Sequence, residues 1–400
     1  MKIAVVSAHF MPEIGYQEVQ LAKAYARLGH RVKVFTSTSI SPSGRKVIRR
    51  KYFPGLTSDT KYGFEVCRLK PWCQFGSNVF VSGLKEAVFE FRPDAVIIIG
   101  LAKMFAGPLL SRDLSSQTNL ITVFGDAREY RNTSSFSGRC LTFLQEMGFS
   151  VAKRRLYRKA VQVGQRLILN VPETENIFLS LLNNAEKSQF QAKRVQLSLG
   201  YDPDEFFFES KSRDEVRTTL NISHEEVVLI TSTRVNPRKK LEHIITLVSR
   251  LYAQGQKVRY IIIGFLGDSY ERELKAYIGE QPSPTIFHCF SFSHHKDIRH
   301  YYCAADLGIW LRAAISIQEA MGTGLPIVLE NKPSVNHLIR EGINGWFFEN
   351  GHLPHVLEAV ISEIANRDAE ERLKHRRYIA SINFDKVSYP KIAEKIISGL

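Results

Sequence analysis

The sequence predicts an α/β protein of two Rossmann-like domains facing across a cleft, and three observations carry that expectation. Short apolar runs alternate with stretches of helical periodicity along nearly the whole chain. The alternation occurs twice, once from Lys2 and again from Val227, as strand–helix–strand units of the kind that build parallel sheets. The third observation is the stretch Trp310–Glu330, WLRAAISIQEAMGTGLPIVLE. It reads as a strand end, a small-residue loop, a short helix, a Gly324 stop and a second strand from Pro326, which is one complete βαβ unit.

The first array opens with the strand Lys2–Ser7 and the loop HFMPEIGYQE. A helix follows over Val19–Leu28, closed by Gly29-His30, then the strand Val32–Thr36. The unit lacks GxGxxG and the acidic ribose ligand of dinucleotide folds; Gly15 falls instead in the strand-to-helix loop, where a bare backbone can approach a phosphate or simply make the turn. Ser41–Lys51 is a polar loop running into a basic patch. Asp94–Ile99 and Leu120–Phe124 are further strands, the latter ending in Gly125-Asp126 at the edge where ligands bind in doubly wound sheets. Phe149–Val163 is a helix with one strongly basic face, bearing Lys153, Arg154, Arg155, Arg158 and Lys159. That face suits an anionic membrane surface or plain solvent. The strand Arg166–Asn170, the helix Thr174–Leu182 and the strand beginning at Val195 complete this half.

A polar, charged interval, Glu209–Glu226, is the expected boundary in composition. The second array runs through the strand Val227–Thr231, the helix Leu241–Gln254, the strand Val258–Gly264, the helix Tyr270–Ile278, the strand Thr285–Cys289 and the helix Asp297–Ala305. After Trp310–Glu330 come a helix over Pro333–Glu341, a turn at Gly342–Gly345 and a helix from Pro354 to Arg367.

Composition narrows the classes. Four hundred residues, 44% of them hydrophobic, suffice for about two or three domains. No run approaches the ~18–20 apolar residues of a membrane span, and the first strand starts at the initiator Met, so no signal peptide is expected. Cys67, Cys73, Cys140, Cys289 and Cys303 are scattered without metal-ligand spacing and read as thiols of a reducing cytosol. A net charge of +14 favours phosphate-rich partners. Dispersed basic residues without a reader motif argue against nucleic acid.

Two features carry chemistry. Arg234 and Lys239 lie five apart across a Pro-containing strand-to-helix loop, placed to converge on one anion, the Arg as a fork and the Lys as a point charge. The loop before Glu319 sits where unpaired helix amides hold anions, and Glu319 itself suits paired hydroxyls such as those of a ribose. His294, His295 and His300 read as the start and exposed face of a helix rather than a metal cluster.

In order and spacing these motifs resemble the retaining GT-B glycosyltransferases of family 4, the glycogen-synthase-like group. HFMPEIGYQEVQLAKAYARLGHRVKVFT is similar to that family's opening, with Tyr16 where a second glycine often stands. LSLGYDPDEF is similar to the start of its second domain, TRVNPRKKLEHII to its Arg/Lys phosphate motif, and QEAMGTGLPIV to its nucleotide-binding helix. Glu341–Trp346 resembles its glycine turn and Phe384–Ile397 its returning helix.

The resemblance implies a GT-B fold with an acceptor domain over 1–200, a donor domain over 201–380, and a helix over 381–400 packing back on the first. It implies a retaining transferase that moves a sugar from a nucleotide-sugar donor to a glycan, lipid-linked or small-molecule acceptor. The scattered thiols favour a cytoplasmic setting, in which the basic helix is available to the inner membrane face. Arg234 and Lys239 would neutralise the diphosphate, Glu319 would hold the ribose, and the amides around Ile315 and Ser316 would meet the distal phosphate. Gly15 would close over that phosphate, and Phe290 would flank the base. No cofactor or metal is then required.

There are two departures. The family places a second Glu eight positions before Glu319, where this chain has Leu311. It also places a His after the fourth strand, where this chain reads Phe124-Gly125-Asp126, leaving Asp126 as the substitute catalytic group. The departures keep a second reading open, a non-catalytic GT-B subunit that binds a partner enzyme.

Overall fold

The computed structural model describes residues 1–53, 63–125, 151–291, 295–349 and 351–400. Two compact units divide the chain: Met1–Ser198 with Ile392–Leu400, and Leu199–Lys391.

The first unit is a parallel sheet of seven strands: β1 (Lys2–Ser7), β2 (Arg31–Ser37), β3 (Glu65–Leu69), β6 (Ala95–Ile99), β7 (Asn119–Phe124), β8 (Arg166–Leu169) and β9 (Arg194–Gln196). Their order is β3-β2-β1-β6-β7-β8-β9, so the direction of winding reverses between β1 and β6. A two-stranded antiparallel hairpin, β4 (Pro71–Phe75) and β5 (Asn78–Val81), follows β3. The central strands are apolar on both faces, as a sheet covered by helices requires. Helices α1 (Gln17–Arg27), α2 (Pro42–Ile48), α3 (Leu84–Phe91), α4 (Arg112–Ser115), α5 (151–163), α6 (Glu173–Leu181) and α7 (Asn184–Lys193) surround it. Phe124, Tyr157, Phe178 and Phe190 stack through one side of the core with successive ring centroids 4.6–5.0 Å apart.

The second unit repeats the plan with six parallel strands: β10 (Val227–Ser232), β11 (Val258–Phe265), β12 (Phe287–Ser291), β13 (Leu307–Trp310), β14 (Ile327–Glu330) and β15 (Gly345–Phe348). The order β12-β11-β10-β13-β14-β15 is the doubly wound arrangement, and it reverses between β10 and β13. Helices α9 (Leu241–Ala253), α10 (Ser269–Gly279) and α13 (Leu353–Asn366) contribute to the layer on one face. Helices α11 (His295–Ala304) and α12 (Ser316–Gly322) lie on the other. Helix α8 (Ser210–Thr219) packs against α11, and the long α14 (Ala369–Val387) packs against α12.

Four sequence expectations are corrected, the first being the polar loop Ser41–Lys51: Ser41 caps a helix, α2 (Pro42–Ile48), by accepting from Gly44 N at 3.0 Å, with Pro42 at its first position. The interval Glu209–Glu226 is not the boundary: it lies inside the second unit and contains α8. Its Arg213 and Arg217 reach the buried Asp306 at 2.7 and 2.5 Å, so charged residues here are interior partners and not linker. Pro333–Glu341 is a succession of turns, not a helix. Val335 and Asn336 both donate to the Lys332 carbonyl, and the buried Asn344 amide caps Leu338 at 3.2 Å. Phe384–Ile397 is not one helix. Ser388 is extended and bridges Tyr201, which ends α14 and starts α15 (Tyr389–Ile397). The hairpin β4–β5 was not expected, because its aromatic residues do not alternate with polar ones in a regular period of two.

Candidate functional site

In a doubly wound sheet the loops at the carboxyl edge on either side of the reversal diverge and leave a crevice for ligand. In the second unit those loops are Thr233–Lys240, after β10, and Leu311–Ile315, after β13. Arg234, Lys239, Ile315, Ser316 and Glu319 all lie on or directly after them.

Both loops are pinned to the end of β10. The Ser232 carbonyl accepts from the Trp310 indole at 2.9 Å and from the Ser316 hydroxyl at 2.5 Å. The Tyr302 hydroxyl bonds Ser232 Oγ and the Ser316 carbonyl. Beneath the first loop, Thr233 and Val235 donate to the carbonyls of Ile263 and Gly264. Gly264 has φ +128°, and a Cβ there would stand 1.9 Å from the Thr233 oxygen, so only glycine allows this approach. Asn236 folds the loop by accepting from Arg238 N and donating to the Arg234 carbonyl. Lys240 closes it in the left-handed region at φ +53°.

The two loops meet through Lys239, whose Nζ donates to the Ala313 carbonyl at 2.9 Å. Arg234 is exposed, with Arg238, Lys240 and Arg312 on the same pair of loops. Ile315 and Ser316 begin α12, where the Ile317 and Gln318 amides turn back to the Ala314 and Ile315 carbonyls. Glu319 lies in the first turn and is 7% exposed. It faces Tyr302, whose hydroxyl is pushed well above its usual range by burial and by the Glu319 charge. The structure therefore brings Lys239 and Ser316 to adjoining loops, with Arg234 and Glu319 on the segments that flank them.

The other expected residues are placed differently. Phe290 is the penultimate residue of β12, half-buried, its ring 4.6 Å from that of Tyr301. Leu311 is 8% exposed and belongs to the core on the α9–α13 face. It lines a cavity of 260 Å³ with Lys240, His243 and Glu330, the last a carboxylate ending the neighbouring strand and paired with Lys332 at 2.6 Å. Gly15, in the first unit, takes φ +71° in a turn where its amide and that of Ile14 reach the Met11 carbonyl. Asp126 lies outside the described residues. So does His294; His300 meets the Ser212 hydroxyl at 2.7 Å. On α5, Arg158 is committed to Glu186 at 2.7 Å, while Arg154, Arg155 and Lys159 are exposed.

Sequence reasoning missed polar groups that shape the carboxyl edge of the first unit. His9, fully buried after β1, sets Nδ1 against the Ser39 carbonyl at 3.1 Å and Nε2 against that of Ser77 at 3.2 Å. Burial lowers its pKa. Gln17 exchanges two amide hydrogen bonds with Asn170. A polar residue inside an apolar loop, as in AHFMP, was the available signal.

Two doubly wound parallel units are the architecture of the GT-B fold. Residues 212–380 match the profile of glycosyl transferases group 1. The amylovoran biosynthesis glycosyltransferase AmsK of Erwinia amylovora is 26% identical over 190 residues, which cover 45% of this chain and 44% of that protein. The alpha-monoglucosyldiacylglycerol synthase of Acholeplasma laidlawii is 21% identical over 373 residues, covering 89% of this chain and 88% of the relative. Among solved structures, Anabaena Alr3699/HepE in complex with UDP and glucose superposes with a TM-score of 0.66 at 17% identity, over all of both chains. The superposition shows the GT-B fold, and the match to group 1 is confined to the second unit. Among the described residues no helix is long and apolar enough to cross a membrane.

Proposed function

We propose that the chain is a retaining glycosyltransferase that draws a sugar from a nucleoside-diphosphate donor held by its second unit. The observation that carries this is the junction of the two carboxyl-edge loops: the Lys239–Ala313 bond sets a cation at the mouth of α12, one turn before the buried Glu319. Arg234 and Lys239 stabilise the charge that develops on the diphosphate as the sugar leaves. Glu319 accepts from the ribose hydroxyls, a role its two oxygens suit. The bond from C1 to the phosphate oxygen breaks, the acceptor oxygen bonds C1 on the same face, and the acceptor proton passes to the departing phosphate. No step needs a metal, because fixed cations supply the charge. A UDP-sugar is the first donor to test, since the HepE structure contains UDP.

The acceptor reading is a glycan or lipid-linked acceptor, with α5 a contact for an anionic membrane through Lys153, Arg154, Arg155 and Lys159. Arg158 is already paired with Glu186 and contributes least. The packing of Leu311 into the core favours one alternative, a non-catalytic GT-B subunit that binds a partner enzyme. Calorimetry with UDP, GDP and ADP, followed by product analysis with the matching sugars, separates the two. Binding with transfer supports the enzyme, binding without hydrolysis or transfer supports the subunit, and no binding removes the enzyme and leaves the subunit in its place.

A further inference from the structure

The basic segment Ser41–Lys51, which holds helix α2, meets the unexpected hairpin within the first unit. Pro42 and Pro71 follow the carboxyl ends of β2 and β3, so both segments stand at the ligand-binding edge of the first unit's sheet. They border an open cavity of 360 Å³ whose lining includes Pro42, Arg45, Tyr52, Pro71, Trp72 and Gln74. Trp72 is 70% exposed, Phe75 57% and Tyr52 53%. Aromatic rings left in water on this scale, beside a concavity, mark an interaction site.

The cavity is built, not incidental. Arg45 is fixed by Nε to the Ile40 carbonyl at 3.1 Å and by Nη2 to Gln74 Oε1 at 3.0 Å, and Gln74 donates onward to the Gly76 carbonyl. Trp72 rests on Phe80 at 5.6 Å. The two walls are joined by His9: it contacts Ser39, whose backbone bridges Tyr52, and Ser77 in the turn of the hairpin.

We propose that this cavity is a saccharide subsite for the acceptor, an inference that rests on the transferase reading above. A sugar ring offers apolar C–H faces and a rim of hydroxyls. Tyr52 and Trp72 supply flat apolar faces for the first, and the Arg45–Gln74 pair supplies a donor and acceptor array for the second. A lipid tail would meet a polar guanidinium and amide inside the cavity, which disfavours it. Arg49, Arg50, Lys51 and Lys70 are exposed on the flanking segments, so an acidic saccharide fits better than a neutral one.

Trp72 makes the test direct. The chain has three tryptophans; Trp310 is buried and Trp346 half-buried, so acrylamide quenching reports mainly on Trp72. The full chain is titrated with a hexasaccharide of alternating glucuronate and N-acetylglucosamine, with maltohexaose, and with phosphatidylglycerol–phosphatidylcholine vesicles. UDP affinity is measured alongside. The acidic hexasaccharide shields Trp72, and binding measured by calorimetry falls about tenfold in both Trp72→Ala and Arg45→Ala. Trp72→Tyr retains binding, and UDP affinity is the same in all variants. If UDP binds but neither saccharide shields Trp72, or if Trp72→Ala binds saccharide like the wild type, the subsite is overturned and the donor reading stands. Shielding by vesicles alone also overturns it, assigning the hairpin to a membrane. A wild-type chain that binds no nucleotide counts against the transferase reading instead.

Discussion

Asp306→Asn is expected to loosen the second unit severely while leaving its outline intact. The carboxylate ends the α11–β13 connection, buried, and accepts from three donors: Arg213 Nη2 at 2.7 Å, Arg217 Nη2 at 2.5 Å and Val228 N at 2.8 Å. Burial opposes its charge, but Arg213, Arg217 and the Val228 amide outweigh burial and hold its pKa at about 2. The amide of Asn cannot accept from all three, and it leaves two guanidiniums with a neutral partner in the interior. Removing one partner of such a cluster costs about 3–5 kcal/mol. That is a large part of a domain's usual ~5–15 kcal/mol.

The same group sets an acid limb. A depressed carboxyl pKa contributes stability that is present above the unfolded value of about 3.9 and is lost as pH falls through the folded value. The window is therefore roughly pH 4 down to 2, and the contribution is about 2–3 kcal/mol. Urea unfolding followed by tryptophan emission, to which Trp310 and Trp346 of the second unit contribute, measures both quantities. The variant should lose stability at pH 7 and show a shallower decline between pH 4 and 2. A loss below about 1 kcal/mol, with an unchanged acid limb, would refute the claim that Asp306 organises this edge.

Arg234→Ala and Lys239→Ala should each lower turnover by about 2–4 kcal/mol of barrier with unchanged circular dichroism, and normal turnover in both would remove the diphosphate assignment. Glu319→Ala should weaken UDP binding by about 1.5–3 kcal/mol in calorimetry, more than a solvated carboxylate could. Gly264→Ala should displace the Thr233–Lys240 loop, because its Cβ would meet the Thr233 oxygen; preserved UDP affinity in that variant would contradict the close approach. Neutralising Lys153, Arg154, Arg155 and Lys159 should weaken binding to anionic vesicles in a salt-dependent manner, whereas wild-type protein that ignores vesicles at low salt leaves α5 a solvated helix.

Much of the donor site was legible because its residues act through short sequence distances. Arg234 and Lys239 share one loop, and Ile315, Ser316 and Glu319 share one loop–helix junction, so strand-to-helix periodicity placed them at a sheet edge without any tertiary information. That the two loops touch was not legible. It depends on β10 and β13 lying side by side, which brings Lys239 to Ala313 across 74 residues. The order of the strands, not their existence, decides it.

Local pattern by itself determined the two βα arrays, the apolar central strands and most of the helices, since burial on both sheet faces leaves an unmistakable run of Val, Ile and Leu. Only the tertiary structure decided where polar residues are interior. Arg213 and Arg217 read as a charged linker until Asp306, 93 and 89 residues away, supplies the partner that makes their burial tolerable. Ser388 breaks an otherwise helical segment because Tyr201 pairs with its backbone. Trp72 is exposed although its type is usually inside, because the hairpin that carries it is held by His9 at the rim of the sheet instead of folding onto the core. In each case the deciding interaction joins residues distant in sequence, and periodicity within a short window carries no trace of it.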